Sequence, residues 1–192
     1  MFVRKPADVD GITEETCGAM SIHIVRMKLE LSDCNLPGAD GAEPSEFVEI
    51  VELDPDSHDD ARAWLLVHNS VFAASQSSLP TGRSSGWSVR RFQAEFAHRS
   101  DRWQILLAAR SQQGLTNSLV GVIAVRGQQD VGTLNWLCVL PEFRSRGIGR
   151  SLVTAAVRVA QIRDLKSLQL ETLSTWSDAI RLYERCGFQK FQ

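Results

Sequence analysis

The sequence predicts an α+β domain built around one mixed sheet, and three observations lead there. Short apolar runs suited to strands recur at 47–53, 103–109, 119–125, 131–140 and 167–173. Apolar residues at helical spacing fill the intervals near 58–71, 88–98, 150–163 and 176–185. From residue 46 on, the order is therefore β-α-α-β-β-β-α-β-α. Short turns join the central strands and helices join the last ones, so antiparallel and parallel neighbours are both expected.

A length of 192 residues allows one domain with a full core plus an extension. We divide the chain into an N-terminal extension, 1–45, and a folded domain, 46–192. No apolar run approaches the roughly 20 residues of a membrane span, and no basic region followed by an apolar core opens the chain. No membrane association and no leader are expected, and the location expected is cytoplasmic. Cys17, Cys34, Cys138 and Cys186 show neither CxxC spacing nor a histidine at metal spacing. Reduced thiols and no metal are the expectation. Residues 1–60 hold 15 Asp+Glu against 4 Lys+Arg, a balance of −11, whereas 61–192 hold 8 against 17, a balance of +9. The basic part suits an anionic ligand. Nucleic acid is not expected, because no basic helix or aromatic–basic stripe accompanies the charge.

Taken in order, residues 1–19 show no period. Val25, Met27, Leu29 and Leu31 alternate with Arg26, Lys28 and Glu30, which predicts a half-buried strand within 21–31. The acidic, turn-forming stretch 32–45 reads as a loop. Phe47–Leu53 is the first core strand, and Pro55 and Asp56 break it. Ser57 or Asp59 caps a helix that carries Ala61, Trp64, Leu65, His68 and Val71 on one side. Residues 74–87 form a loop before a second helix over 88–98. Trp103–Ala109 and Leu119–Val125 pair across a turn at 111–117, and Gly127–Asp130 turns the chain into Val131–Leu140. A helix to about Arg163, the strand Ser167–Leu173 and a helix over Trp176–Arg185, closed by Gly187, complete the order.

The stretch Leu137–Leu152 carries the strongest chemical signal. An apolar strand ends at Pro141, which cannot donate to a ladder. Arg144, Ser145, Arg146, Gly147, Ile148, Gly149, Arg150 and Ser151 then lead into an amphipathic helix. The first N–H groups of a helix lack intrahelical partners and carry the positive end of its dipole. Glycine lets an anion approach the backbone and accepts φ > 0, while arginine adds forked donors for phosphate oxygens. The combination suits a diphosphate. It lacks the lysine of a Walker loop, and Leu152 stands where a dinucleotide fingerprint needs its third glycine.

Arg144-x-x-Gly147-x-Gly149, preceded by Leu137-x-Val139-x-Pro141, resembles the acyl-CoA-binding motif of the GNAT superfamily of N-acetyltransferases. Further on, Leu168-Gln169-Leu170-Glu171-Thr172-Leu173 and then Ala179-Ile180-Arg181-Leu182-Tyr183-Glu184-Arg185-Cys186-Gly187-Phe188 are similar to that family's second motif. The two cover roughly 130–190. The resemblance implies a mixed, mostly antiparallel sheet with helices on both faces. It also implies acetyl-CoA as co-substrate, with no metal, and an N-acetyltransferase acting on a small-molecule or peptide amine. Family members usually continue through two more strands, whereas the sequence ends five residues after Gly187, so this strand pair reads as shortened. The open edge would then be filled by the strand within 21–31 or by a partner subunit, as in a homodimer.

The same resemblance implies the site. The backbone of Leu137, Cys138 and Val139 would hold the pantetheine arm, and the loop Arg144–Ser151 the diphosphate. Tyr183, the only tyrosine, would protonate the leaving thiolate. Asn is common three residues before the second motif's alanine; here Trp176 stands there. Glu171, on the strand beside the thioester, is the candidate general base. A salt-bridged strand residue is the plainer reading of it, and a water chain would also serve. The acceptor would approach past the 74–87 loop and Trp136, near Arg83 and Trp87. His23, His58, His68 and His98 are scattered and read as surface or packing residues. Two alternatives stay open: a non-catalytic CoA-binding or regulatory module of the same fold, and a nucleotide-binding protein of another fold.

Overall fold

The computed structural model describes residues 22–32, 48–75, 86–98, 100–112 and 118–191. Expectations for 1–19, for most of the 32–45 and 74–87 loops, and for Cys17, Cys34 and Arg83 fall outside them. The alternating run at the N-terminal side forms β1 (Ile24–Glu30). The first core strand is β2 (Val48–Leu53), followed by α1 (His58–Ser75). Ser57 Oγ accepts the Asp60 N–H at 3.3 Å, and Asp59 and Asp60 place acidic charge in the first turn of α1. Ser88 caps α2 (Val89–Phe96) by accepting the Arg91 N–H at 3.2 Å. The central strands are β3 (Trp103–Ser111), β4 (Leu119–Gln128) and β5 (Val131–Val139). Then come α3 (Ile148–Ile162), β6 (Ser167–Leu173), α4 (Ser177–Arg185) and β7 (Gln189–Phe191).

One boundary differs physically from the sequence reading. Gly127, expected in the turn, lies inside β4, and the reversal is confined to Gln129 and Asp130. The reason is packing: the Trp103 indole lies where a Cβ on Gly127 would be. The ladder therefore continues past the glycine.

The sheet runs β2–β3–β4–β5–β6–β1–β7. Neighbours are antiparallel except β5 and β6, which are parallel, as a strand–helix–strand crossover through α3 requires. β1 lies between β6 and β7, so a segment from one end of the sequence separates two from the other. On one face, α1 and α2 bury Trp64, Val67, Val71, Phe92 and Phe96 against Leu106, Ala108, Val122, Ala124, Trp136 and Cys138. On the opposite face, α3 and α4 bury Leu152, Val153, Ala156 and Tyr183 in one cluster with Ile123, Leu137, Leu168 and Leu170. Arg126 is buried at the end of β4, bonded to Glu95 of α2 at 2.6 Å and to Gln104 at 3.2 Å, which ties α2 to the sheet. Among the described residues, no helix is long and apolar enough to cross a membrane.

Candidate active site

β5 and β6 pair over only three residues: Val131 with Ser167, Gly132 with Leu168, Thr133 with Gln169. Beyond them the strands diverge. The N–H and C=O groups of Leu134–Val139 that point toward β6 have no strand to bond. On its other side, β5 carries a bulge. Val122 faces Cys138 and Ala124 faces Asn135, leaving Trp136 and Leu137 together opposite Ile123. Trp136 sits at φ 59 within this bulge. Split and bulge coincide, so the sequence-predicted residues Leu137, Cys138 and Val139 line a slot with polar backbone on an apolar wall.

The slot leads to the glycine loop. Pro141–Phe143 makes one 3-10 turn. Ser145 (φ 60) and Gly147 (φ 79) are both left-handed, and Gly147 is the N-cap of α3 without a side-chain cap. The first intrahelical bond there is Ser151 N–H to Gly147 C=O at 3.0 Å. The N–H groups of Ile148 and Gly149 precede it, in the first turn, where a helix offers no acceptor of its own. Arg144, Ser145, Arg146 and Gly147 are exposed around them, which makes a cationic cradle suited to a diphosphate. The arginines differ in their contacts. Arg144 Nε donates to the Val139 carbonyl at 3.2 Å and pins the end of β5, and the Arg146 guanidinium lies 5.3 Å over the Phe143 ring.

Tyr183 projects from α4 into the core and is 0% exposed, and among the described residues its hydroxyl has no hydrogen-bond partner. Burial, reinforced by the Cys138 and Cys186 thiols, holds the phenol well above its ordinary range, so it stays protonated. Burial likewise pushes the Cys138 thiol up to about 12, which leaves it a poor nucleophile. An enclosed, unpaired hydroxyl in this position fits a ligand that brings its own acceptor into the slot. Glu171 accepts from Arg26 Nε of β1 at 2.9 Å. Trp176 packs against both core clusters.

Two residues beside the site were given no functional role from the sequence, although His68 was read as lying on the apolar side of its helix. His68 of α1 is buried among Trp64, Phe72, Trp87 and Trp136, with ring centroids 4.4–5.4 Å away. Its Nδ1 faces Asn69 Oδ1 at 3.1 Å, and burial lowers its pKa to about 4. Asn135, buried in β5, donates to Thr133 Oγ1 at 3.1 Å. Neither belongs to a motif; only the strand pairing and the packing of α1 bring them to the slot.

Residues 50–188 match the model of the Acetyltransferase (GNAT) family, and the chain belongs to that family. Its fold matches the crystal structure of a GCN5-related N-acetyltransferase from Sphaerobacter thermophilus at TM-score 0.67 and 19% identity, covering 88% of this chain and 48% of that one. The ribosomal-protein-S18-alanine N-acetyltransferase from Escherichia coli matches at TM-score 0.56 and 21% identity, covering 76% of this chain and 79% of that one. At these identities the likeness is one of fold. The chain spans 48–60% of the length of several solved chains that it matches over 88–91% of its own. No curated protein matches the sequence.

Proposed function

We propose that this protein is an N-acetyltransferase that moves an acetyl group from acetyl-CoA to a primary amine by direct attack. The observation that carries this reading is the split between β5 and β6, opening beside the glycine-capped N-terminus of α3. Acetyl-CoA supplies an activated thioester carbonyl. The loop Arg144–Ser151 holds the diphosphate and fixes the reacting carbon against the bulge at Trp136 and Leu137. Backbone N–H groups of Leu137–Val139 hold the pantetheine arm and polarise the carbonyl oxygen. The ammonium proton of the acceptor passes to Glu171 or to water. A nitrogen–carbon bond forms and the carbon–sulfur bond breaks; the sulfur takes its proton from Tyr183 Oη, and the second proton lost by the acceptor nitrogen returns through water to the Tyr183 oxygen. The high pKa of the Cys138 thiol favours this single displacement over an acetyl-cysteine route. The acceptor is a small-molecule or peptide amine.

A CoA-binding module without turnover is the second reading. It draws on the complete enclosure of Tyr183 and on the ion pair that occupies Glu171. A thermal-shift titration with acetyl-CoA, CoA and ATP, followed by an amine screen, separates the readings. A ligand at 100 times its dissociation constant adds about 2.7 kcal/mol, which raises Tm by roughly 5–10 °C for a domain of this size. Both CoA species should shift Tm and ATP should not. Binding without any acetylated amine supports the module, and no shift with either CoA species refutes both readings.

A further inference from the structure

The sheet brings a charged residue from outside the family-matched region to the mouth of the split. Arg26 of β1 stands directly opposite Glu171 of β6, and its Nε donates to Glu171 Oε1 at 2.9 Å. The match to the family begins at residue 50, so the insertion of β1 supplies Arg26 to the site. The pair lies on the face of the sheet that α1 and α2 cover in part. Thr133 pairs with Gln169, and strand alternation places Asn135 on the face of Thr133 and Glu171 on the face of Gln169. Asn135 faces Ala124, which packs under α1 and α2, so Asn135 and Glu171 flank the split on that side. α1 packs over β4 and β5. Over β6 and β1, Glu171 keeps 18% exposure and Arg26 55%.

Only one guanidinium nitrogen is engaged. Among the described residues Arg26 has no other polar partner, so both Nη groups remain as donors. The result is a carboxylate next to the slot with a cationic fork one strand beyond, about 4.8 Å in the ladder direction. That order of charge is the complement of an amine that bears its own carboxylate. Glu171 faces the ammonium, and the fork of Arg26 meets the carboxylate in the planar geometry that guanidinium favours. Resting on the amine-acetylation reading, we infer that Arg26 is a specificity-determining residue and that the acceptor is a small amino-carboxylate, such as a free amino acid. A peptide N-terminus offers the ammonium but no neighbouring carboxylate, so it leaves the fork unused.

The test compares free amino acids with their amides as acceptors, at saturating acetyl-CoA, in the wild type, R26K and R26Q. The wild type should prefer the free acid by at least tenfold in kcat/KM, mainly through KM. R26Q should bring the acid-to-amide ratio close to one, and R26K should retain part of the preference. Equal wild-type use of acid and amide overturns the inference, as does an unchanged ratio in R26Q. Calorimetric binding of the same acid and amide to the CoA-saturated protein gives a readout that needs no turnover. A preference for the acid that R26Q abolishes supports the inference even if no amine is acetylated, and its absence there overturns it. Failure of the catalytic reading is visible separately, as no acetylated product from any amine.

Discussion

Replacing Tyr183 with phenylalanine should make the protein more stable and the reaction much slower. The hydroxyl is fully buried and has no partner among the described residues, so its desolvation is uncompensated. An unpaired buried hydroxyl costs about 1–3 kcal/mol, and its removal recovers that amount less the contacts of one oxygen atom. A net gain of about 1–2 kcal/mol remains, which raises Tm by roughly 2–8 °C in a domain of this size. General-acid catalysis is worth about 10²–10⁴ in rate, so kcat should fall by that factor. Calorimetric unfolding of the ligand-free Y183F protein reads the first quantity, and steady-state release of CoA thiol reads the second. A lower Tm would show that the hydroxyl is satisfied in solution and that its apparent isolation is wrong. A kcat within threefold of wild type would remove Tyr183 from the proton-transfer step.

Two further outcomes follow from packing. His68 is buried and neutral with a pKa of about 4, against 6.5 for an unperturbed imidazole, chiefly because burial penalises its charge. The unfolded chain therefore binds a proton through that window while the native state does not. Stability is fully present above pH ~6.5 and declines toward pH ~4 by roughly 3 kcal/mol. Subtracting the same curve for H68F isolates this share from that of the carboxylates, and a difference that is flat with pH would refute it. Gly127→Ala drives a methyl into the Trp103 indole. Overpacking of this kind costs about 1–3 kcal/mol, measured as a fall in urea midpoint with unchanged m-value. Adding W103L should recover most of the loss; an unchanged midpoint in G127A alone would show that the ring moves aside freely.

The strands and helices were legible because each buries one face, and burial writes a period into the sequence. The Val25–Leu31 alternation announces β1, and the Arg144–Ser151 run announces the capped helix. Some relations between elements were legible as well: the short turn paired Trp103–Ala109 with Leu119–Val125, and the shortened C-terminal strands left an edge for the strand within 21–31, where β1 lies between β6 and β7. Nothing local in Ile24–Glu30 says that it lies beside β6, because either edge of a sheet accepts an alternating strand. The bulge at Trp136 leaves no trace either, since it depends on how β4 fits across from it. The site divides the same way. The residues proposed to hold the co-substrate come from the motif and the family resemblance, whereas the Arg26–Glu171 pair needs residues 145 positions apart in sequence to meet. Tyr183 stood out as the only tyrosine, but its isolation depends on every neighbour that packs around it.

The place of β1 also sets an order of events during synthesis. β1 leaves the ribosome before either strand that will flank it exists. Its first partner, Ser167–Leu173, follows more than 130 residues later, and at about 5–20 residues per second that interval is roughly 7–30 s. For that time an apolar strand with two unpaired edges is tethered to a nascent domain whose β2–β5 layer can already assemble. The half of the sheet that presents Glu171 to the slot is thus the last to close. A slow final folding phase and a need for chaperone shielding of the leading segment are the expected signature of this topology.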